Sequence, residues 1–142
     1  MRFTEAMGRK VVSTSSAATV GKVSDFVVDP DLSSVVALRL KGGSGEVLRW
    51  SDLTAFGTDA VTVSAPDKIT GSTEAVARLT GKDRKIIGKR VITVHGEEFG
   101  QAADVVFDEQ TGRVTDIVFS DGNSMSGRVV GIGSYAVVIE PE

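Results

Sequence analysis

The two halves of this chain carry the same four short blocks of sequence in the same order. MGRKVV at Met7–Val12 recurs 80 residues later as IGKRVI at Ile87–Ile92. The other three pairs are GKVSDFVVD from Gly21 with GQAADVVFD from Gly100, VVALRL from Val35 with VTDIVF from Val114, and FGTDAVTV from Phe56 with IGSYAVVI from Ile132. Ordered self-similarity of this kind predicts two tandem copies of one small structural unit.

Each copy has the pattern of short strands separated by tight turns. In the first copy the predicted strands are Lys10–Ser13, Lys22–Asp29, Val35–Leu40, Glu46–Trp50 and Val61–Ser64. Aspartate, proline and glycine fill the gaps, as in the Asp29–Asp31 turn, because these residues adopt or initiate reversals of the chain. Aromatic residues are 6% of the chain and glycines number 16. The sequence therefore predicts an all-β fold made of two tandem small β-barrels of five to six strands each.

The repeat also predicts how the chain is divided. We place the first copy at residues 1–69, a short linker at 70–83 and the second copy at 84–142. The linker has a possible helix, with Ser72 or Thr73 as its cap and Gly81 as its end. Its partial apolar stripe consists of Ala75, Val76 and Leu79. A unit of about 60 residues buries only about 60% of its unfolded surface. We therefore expect the copies to pack into one rigid unit or to form a homodimer.

Composition and charge restrict the class of protein. The net charge is −3 and the chain has no cysteine. An acidic chain is a poor sequence-independent ligand for nucleic acid, which requires a concentrated positive field. Because the sequence shows no signal peptide and no apolar stretch long enough to span a bilayer, we expect a cytoplasmic location and no membrane insertion.

Four features of the blocks resemble the PRC-barrel family. These are the apolar-Gly-basic-basic start, a Gly-x-Val-x-Asp strand, a tryptophan-serine turn and a glycine in the last strand. The residues that carry the resemblance are Gly8, Gly21, Asp25, Trp50 and Gly57 in the first copy and Gly88, Gly100, Asp104 and Gly133 in the second. Only the first copy has the tryptophan, so the resemblance indicates barrel closure more firmly there. It implies a docking or assembly module, as in the H subunit of photosynthetic reaction centres and the ribosome maturation factor.

Several polar residues could carry chemistry, and each also has an ordinary structural interpretation. Asp25 and Asp104, repeated within apolar strands, could be general bases or cation ligands, but buried carboxylates are more often hydrogen-bond acceptors. Asp29 with Asp31 is typical of a solvated turn, since calcium loops use more oxygen ligands. His95 has no second soft ligand or nucleophile context beside it.

The remaining candidates are a basic run, two glycine stretches and two aromatic residues. KDRKIIGKR at Lys82–Arg90 could contact an acidic partner, anionic lipid or RNA, although a solvated face of the linker is the favoured interpretation. The stretches GGSG and GIGS do not have the spacing of a phosphate-binding loop. Trp50 and Phe56 could anchor an interface, but in barrels this small we expect them in the core.

We therefore assign no catalytic, cofactor-binding or metal-binding residue, and expect no cofactor. The favoured interpretation is a non-enzymatic protein-interaction or assembly module whose protein partner is not identified by the sequence. The first alternative is an RNA-associated or ribosome-assembly factor, and the second is a divalent-ion-dependent enzyme that uses the repeated aspartates.

Overall fold

The computed structural model describes residues 1–42, 46–71 and 74–142. The first copy begins with one short helix, α1 (Phe3–Ala6), and continues as six strands in a single sheet. The sheet order is β4-β3-β2-β1-β6-β5. The strands are β1 (Lys10–Ser13), β2 (Ala18–Asp29), β3 (Ser34–Lys41), β4 (Val47–Arg49), β5 (Leu53–Phe56) and β6 (Ala60–Val63).

The second copy is a closed barrel of five strands in the order β10-β11-β7-β8-β9. These strands are β7 (Arg90–Thr93), β8 (Glu98–Phe107), β9 (Val114–Phe119), β10 (Ser124–Ile132) and β11 (Val137–Pro141). Both copies are antiparallel except at one seam, where β1 runs parallel to β6 and β7 runs parallel to β11. The all-β fold with two tandem barrel units is thus confirmed.

The two copies close in different ways. The tryptophan turn led us to expect the more secure barrel closure in the first copy, and this was wrong, because the barrel closed by hydrogen bonds is the second copy. In the second copy, the first half of β10 pairs with β9 and its second half pairs with β11. In the first copy a 3-10 turn at Trp50–Asp52 interrupts the corresponding strand, leaving β4 on β3 and β5 on β6. In the first copy, the Trp50–Asp52 turn therefore connects the two edge strands, β4 and β5, covalently but without hydrogen bonds between them. In the second copy, the uninterrupted β10 pairs with both of its neighbours and closes the barrel by hydrogen bonds.

One hydrophobic core runs through both copies. It includes Val11, Val61 and Leu38 from the first copy and Val91 and Ile139 from the second, all fully buried. An aromatic cluster crosses the boundary between the copies, with Phe107 against Phe26 at 5.4 Å, Phe56 at 5.4 Å and Trp50 at 6.1 Å between ring centroids. A shared core of this kind makes the copies one packed body, as small units require. Homodimer formation stays a prediction.

The β2–β3 and β8–β9 turns meet each other across the boundary. The Val35 amide donates to the Gly112 carbonyl at 2.7 Å, and the Val114 amide donates to the Ser33 carbonyl at 2.9 Å. Ser33 and Gly112 hold equivalent places in the repeat, and both have left-handed backbones, with φ of 49° and 81°. Because equivalent residues of the two copies form these two hydrogen bonds reciprocally, the copies are related here by an approximate twofold axis.

The predicted helix in the linker is present as α2 (Glu74–Ala77), which ends at Ala77 rather than at the predicted Gly81. Its Val76 packs on the outer face of the first sheet with Val27, Ala37 and Val47, forming a small second cluster. The predicted cap at Ser72 or Thr73, like most of the GGSG stretch, lies outside the described residues. Within the ranges that the structure describes, none of the helices has the length and apolar character needed to cross a membrane.

Candidate functional site

The repeated aspartates occupy the same irregularity in their strands. The pairing of β2 with β3 shifts register between Val23 and Asp25, and that of β8 with β9 shifts between Ala102 and Asp104. Each carboxylate accepts a hydrogen bond from the next backbone amide, at 2.8 Å in the first copy and 2.9 Å in the second. A bulge leaves amides without ladder partners. The aspartate at this position supplies the acceptor for one of them.

Each aspartate also contacts the N-terminal segment of the opposite copy. Asp104, 6% exposed, accepts hydrogen bonds from the Thr4 amide at 3.2 Å and the Thr4 hydroxyl at 2.5 Å. Asp25, half-buried, lies 3.6 Å from the Lys85 ammonium group. Thr4 belongs to α1, at the start of the first copy, and Lys85 lies shortly before β7, the first strand of the second copy. The two carboxylates therefore contact exchanged N-terminal segments, and the contact made by Asp104 is the more extensive.

Two glycines of the repeat motif also have equivalent backbones. Gly8 and Gly88 have φ of 81° and 88°, in the left-handed region where a side chain is disfavoured. Each donates its amide to the partner strand within its own copy, to the Val23 and Ala102 carbonyls respectively. The apolar-Gly-basic-basic pattern thus marks a required turn into the first strand of each copy.

The other sequence candidates are separated from one another. The His95 side chain is exposed in the β7–β8 turn, and its amide donates to the Thr93 hydroxyl at 3.2 Å. The Asp29 carboxylate accepts from the Asp31 amide at 2.9 Å, as in an ordinary aspartate turn. The described ranges contain no group of three or more His, Cys, Asp or Glu residues that could hold a metal ion.

Trp50 and Phe56 lie between the copies rather than on an outer surface. Their rings stack with centroids 5.8 Å apart, and Phe56 is 5% exposed. Trp50, half-buried, also lies against Gly112, where an added Cβ would come within about 3.0 Å of its ring. Both aromatic residues therefore stabilise the contact between the two copies. Their predicted position in the core is confirmed.

The basic run is bound largely to the protein itself. Lys85 pairs with Asp25, and the Arg84 guanidinium donates to the Ile132 carbonyl at 3.2 Å. Arg90 pairs with Glu98 at 3.4 Å and lies over the Tyr135 ring at 4.4 Å. Burial lowers the pKa of Lys89; the Asp83 carboxylate opposes this shift and Arg84 adds to it. Arg84, Lys85 and Arg90 thus each have a partner within this chain.

A groove of about 620 Å³ lies between the linker and the outer face of the first sheet. We call it the linker groove. It is bounded by the β2–β3 turn, by β3 and β4, and by the segment after α2. The lining residues are Asp29, Pro30, Asp31, Val36, Arg49, Val76, Arg78, Leu79 and Arg84.

The two ends of the linker groove carry opposite charges. Asp29 pairs in register with Ser34, and Arg49 pairs with Ala37, three residues further along β3. At a rise of about 3.3 Å per residue, the acidic and basic ends are roughly 10 Å apart along the strand. Arg49 and Arg78 are exposed, and neither guanidinium group forms a hydrogen bond or ion pair with any residue that the structure describes.

Sequence reasoning missed the arginines of this groove. Arg49 and Arg78 are isolated cations in the sequence, and only the docking of the linker on the first sheet places them along the same groove. A weak signal was present, because Arg78 lies within the apolar stripe of Val76 and Leu79, where it flanks the face that packs on the sheet. No comparable signal distinguishes Arg49 from any outward-facing strand residue.

Comparison with known proteins gives one family match. Residues 81–140, which include the whole closed barrel except the last residue of β11, match the family model of the PRC-barrel domain. No curated protein matches the chain.

Proposed function

We propose, from the premise that residues 81–140 are a PRC-barrel domain, that this chain is a non-enzymatic docking module that binds another protein in the cytoplasm. The proposal includes the first copy, which the family match does not cover. In this interpretation the second copy and the shared core form a rigid support, and the surface that binds the partner is the linker groove.

The observation that carries the proposal is the combination of charge and apolar surface in the linker groove. Arg49 and Arg78 present guanidinium groups without partners among the described residues, beside the half-buried apolar side chains of Val36 and Leu79. Protein interfaces combine arginine with apolar area in this way. Guanidinium groups stay protonated at physiological pH, so they supply binding charge rather than proton transfer.

The same contacts favour a protein partner over RNA. Nucleic-acid binding depends on several free cations arranged along a backbone of phosphates. In this chain Lys85 and Arg90 are paired with carboxylates, and Arg84 is hydrogen-bonded to a carbonyl. The linker groove offers two exposed guanidinium groups and, roughly 10 Å along the strand, an acidic end. This polarity suits a protein surface better than a polyanion.

Proximity labelling in the native host tests the proposal. Three forms of the full chain are compared: the wild type, the charge-reversed groove variant Arg49→Glu/Arg78→Glu, and the control Lys10→Glu/Lys22→Glu. The control makes the same charge change on β1 and β2, at exposed residues that do not line the groove. We expect specific proteins to be labelled by the wild type and the control and to be lost with the groove variant.

Two results would contradict the proposal in different ways. If the groove variant labelled the same proteins as the wild type, docking would occur elsewhere on the chain. If the wild type labelled nothing specific beyond itself, the docking function would be wrong.

A further inference from the structure

We infer that the linker groove binds an acidic peptide segment of its partner protein, with carboxylates against Arg49 and Arg78 and an apolar side chain between them. This inference rests on the proposed docking function and names the chemistry of the partner. It follows from two features of the groove: guanidinium groups without partners among the described residues, and an apolar wall. The acidic end of the groove supplies a further test.

The guanidinium groups define the class of ligand. Arg49 is held at the end of β4 by the pairing of that strand with β3, and Arg78 follows α2, whose Val76 is 7% exposed in the outer cluster. Each guanidinium has five donors in a planar fork that matches a carboxylate in two-point contact. Two such groups fixed by different elements suit two carboxylates on one chain better than a single anion.

The wall of the groove defines what lies between the charges. Val36 and Leu79 pack against the outer cluster on one side and remain half-buried, so part of each is open to the groove. Covering this apolar area removes it from water, which stabilises a complex by about 25 cal/mol per Å². A free phosphate or a sugar would leave the wall uncovered, whereas an apolar side chain of a peptide would cover it.

The acidic end of the groove should have the opposite effect on peptide binding from the arginines. Asp31 is exposed; its amide donates to Asp29 and its carbonyl accepts from Arg128, and its carboxylate has no hydrogen-bond or ion-pair partner among the described residues. A carboxylate here repels an acidic ligand that extends beyond the arginines. Removing its charge should therefore strengthen binding, while removing an arginine charge should weaken it.

Selection from a random dodecapeptide library displayed on phage, with the full chain as bait, supplies the probe. The enriched peptide is synthesised with a fluorescent label, and its affinity is measured by anisotropy against the wild type, Arg49→Gln, Arg78→Gln, Asp31→Asn and the control Lys10→Gln/Lys22→Gln. A matched peptide has its Asp and Glu residues replaced by Asn and Gln. Thermal unfolding of each variant checks that its fold is retained.

We expect acidic peptides with at least one large apolar residue to be enriched. Each arginine variant should weaken binding by about fivefold, the range of a contact at the rim of an interface. Asp31→Asn should bind more tightly than the wild type, and the control should bind unchanged. The amide-substituted peptide should bind weakly, and added salt should reduce the affinity of the acidic one.

The inference would be overturned by peptides that are not acidic, or by an acidic peptide whose binding is unchanged in both arginine variants. Failure to enrich any peptide would overturn it as well, and proximity labelling then decides separately whether the docking function also fails. If the chain were dimeric in solution and Arg49→Gln/Arg78→Gln made it monomeric, the occupant would be a second copy, which would also overturn it.

Discussion

Replacing Gly112 by alanine tests the contact between the copies. Gly112 has φ of 81°, and an added Cβ would lie 2.8 Å from the Val35 carbonyl oxygen and 3.0 Å from the Trp50 ring. The left-handed backbone alone costs an alanine about 1–2 kcal/mol. Overpacking against a rigid carbonyl and ring adds about 1–3 kcal/mol. We therefore expect a total loss of about 2–5 kcal/mol in the free energy of unfolding.

Gly96→Ala is the matched control for this change. Gly96 has φ of 83°, nearly the same backbone, and an added Cβ would meet nothing within 4 Å. It should lose only the backbone part, about 1–2 kcal/mol. Urea denaturation followed by circular dichroism measures both variants. Fluorescence of Trp50, the only tryptophan, reports on the contact itself. If both variants lost equal stability, the β8–β9 turn would not pack against the first copy as described.

Three further predictions concern the boundary between the copies and the pH dependence of stability. Ser33→Ala should lower the free energy of unfolding by about 1–3 kcal/mol, because the Ser33 hydroxyl accepts a hydrogen bond from the buried Val129 amide at 2.9 Å. Ser33→Gly should lower it less, since glycine relieves the left-handed backbone. Chemical denaturation would contradict this if the glycine variant were the less stable of the two. Asp104→Ala should lower the melting temperature more than Asp25→Ala, because Asp104 is buried with three donors; an equal loss would argue against the difference in their burial. The lowered pKa of Lys89 means that the unfolded chain binds more protons between that pKa and about 10.4, so stability should rise with pH there. Urea titrations of the wild type and Lys89→Gln would contradict this if the rise were the same in both.

The strands of each copy could be predicted from the sequence because strand patterns are local. Lys10–Ser13 was placed correctly at both ends, and Val35–Leu40 differs from β3 by one residue at each end. Alternation of buried and exposed positions, together with glycine and aspartate at the turns, determines such elements without long-range contacts. The helix in the linker was predicted from the same kind of local pattern.

How each barrel closes could not be predicted, because closure depends on pairing between distant strands. Trp50 marks a turn that interrupts a strand, and the hydrogen-bonded barrel forms in the copy without it. The family resemblance indicated firmer closure in the first copy, which has the tryptophan. The presence of the tryptophan motif does not reveal which strands beside it are left without hydrogen-bonded partners. Register along β10 decides this, and register is a property of the whole sheet.

The sequence by itself determined that the chain is a duplication, that each copy is a small β unit, and that Asp25 and Asp104 have equivalent places. Only the tertiary structure decided that these aspartates contact exchanged segments, that Ser33 and Gly112 meet across an approximate twofold axis, and that the linker groove exists. The physical reason is the range of the interactions. Turns and alternation arise from neighbouring residues, whereas the groove requires the linker to dock on the first sheet, which places Arg78 and Arg49 along the same groove.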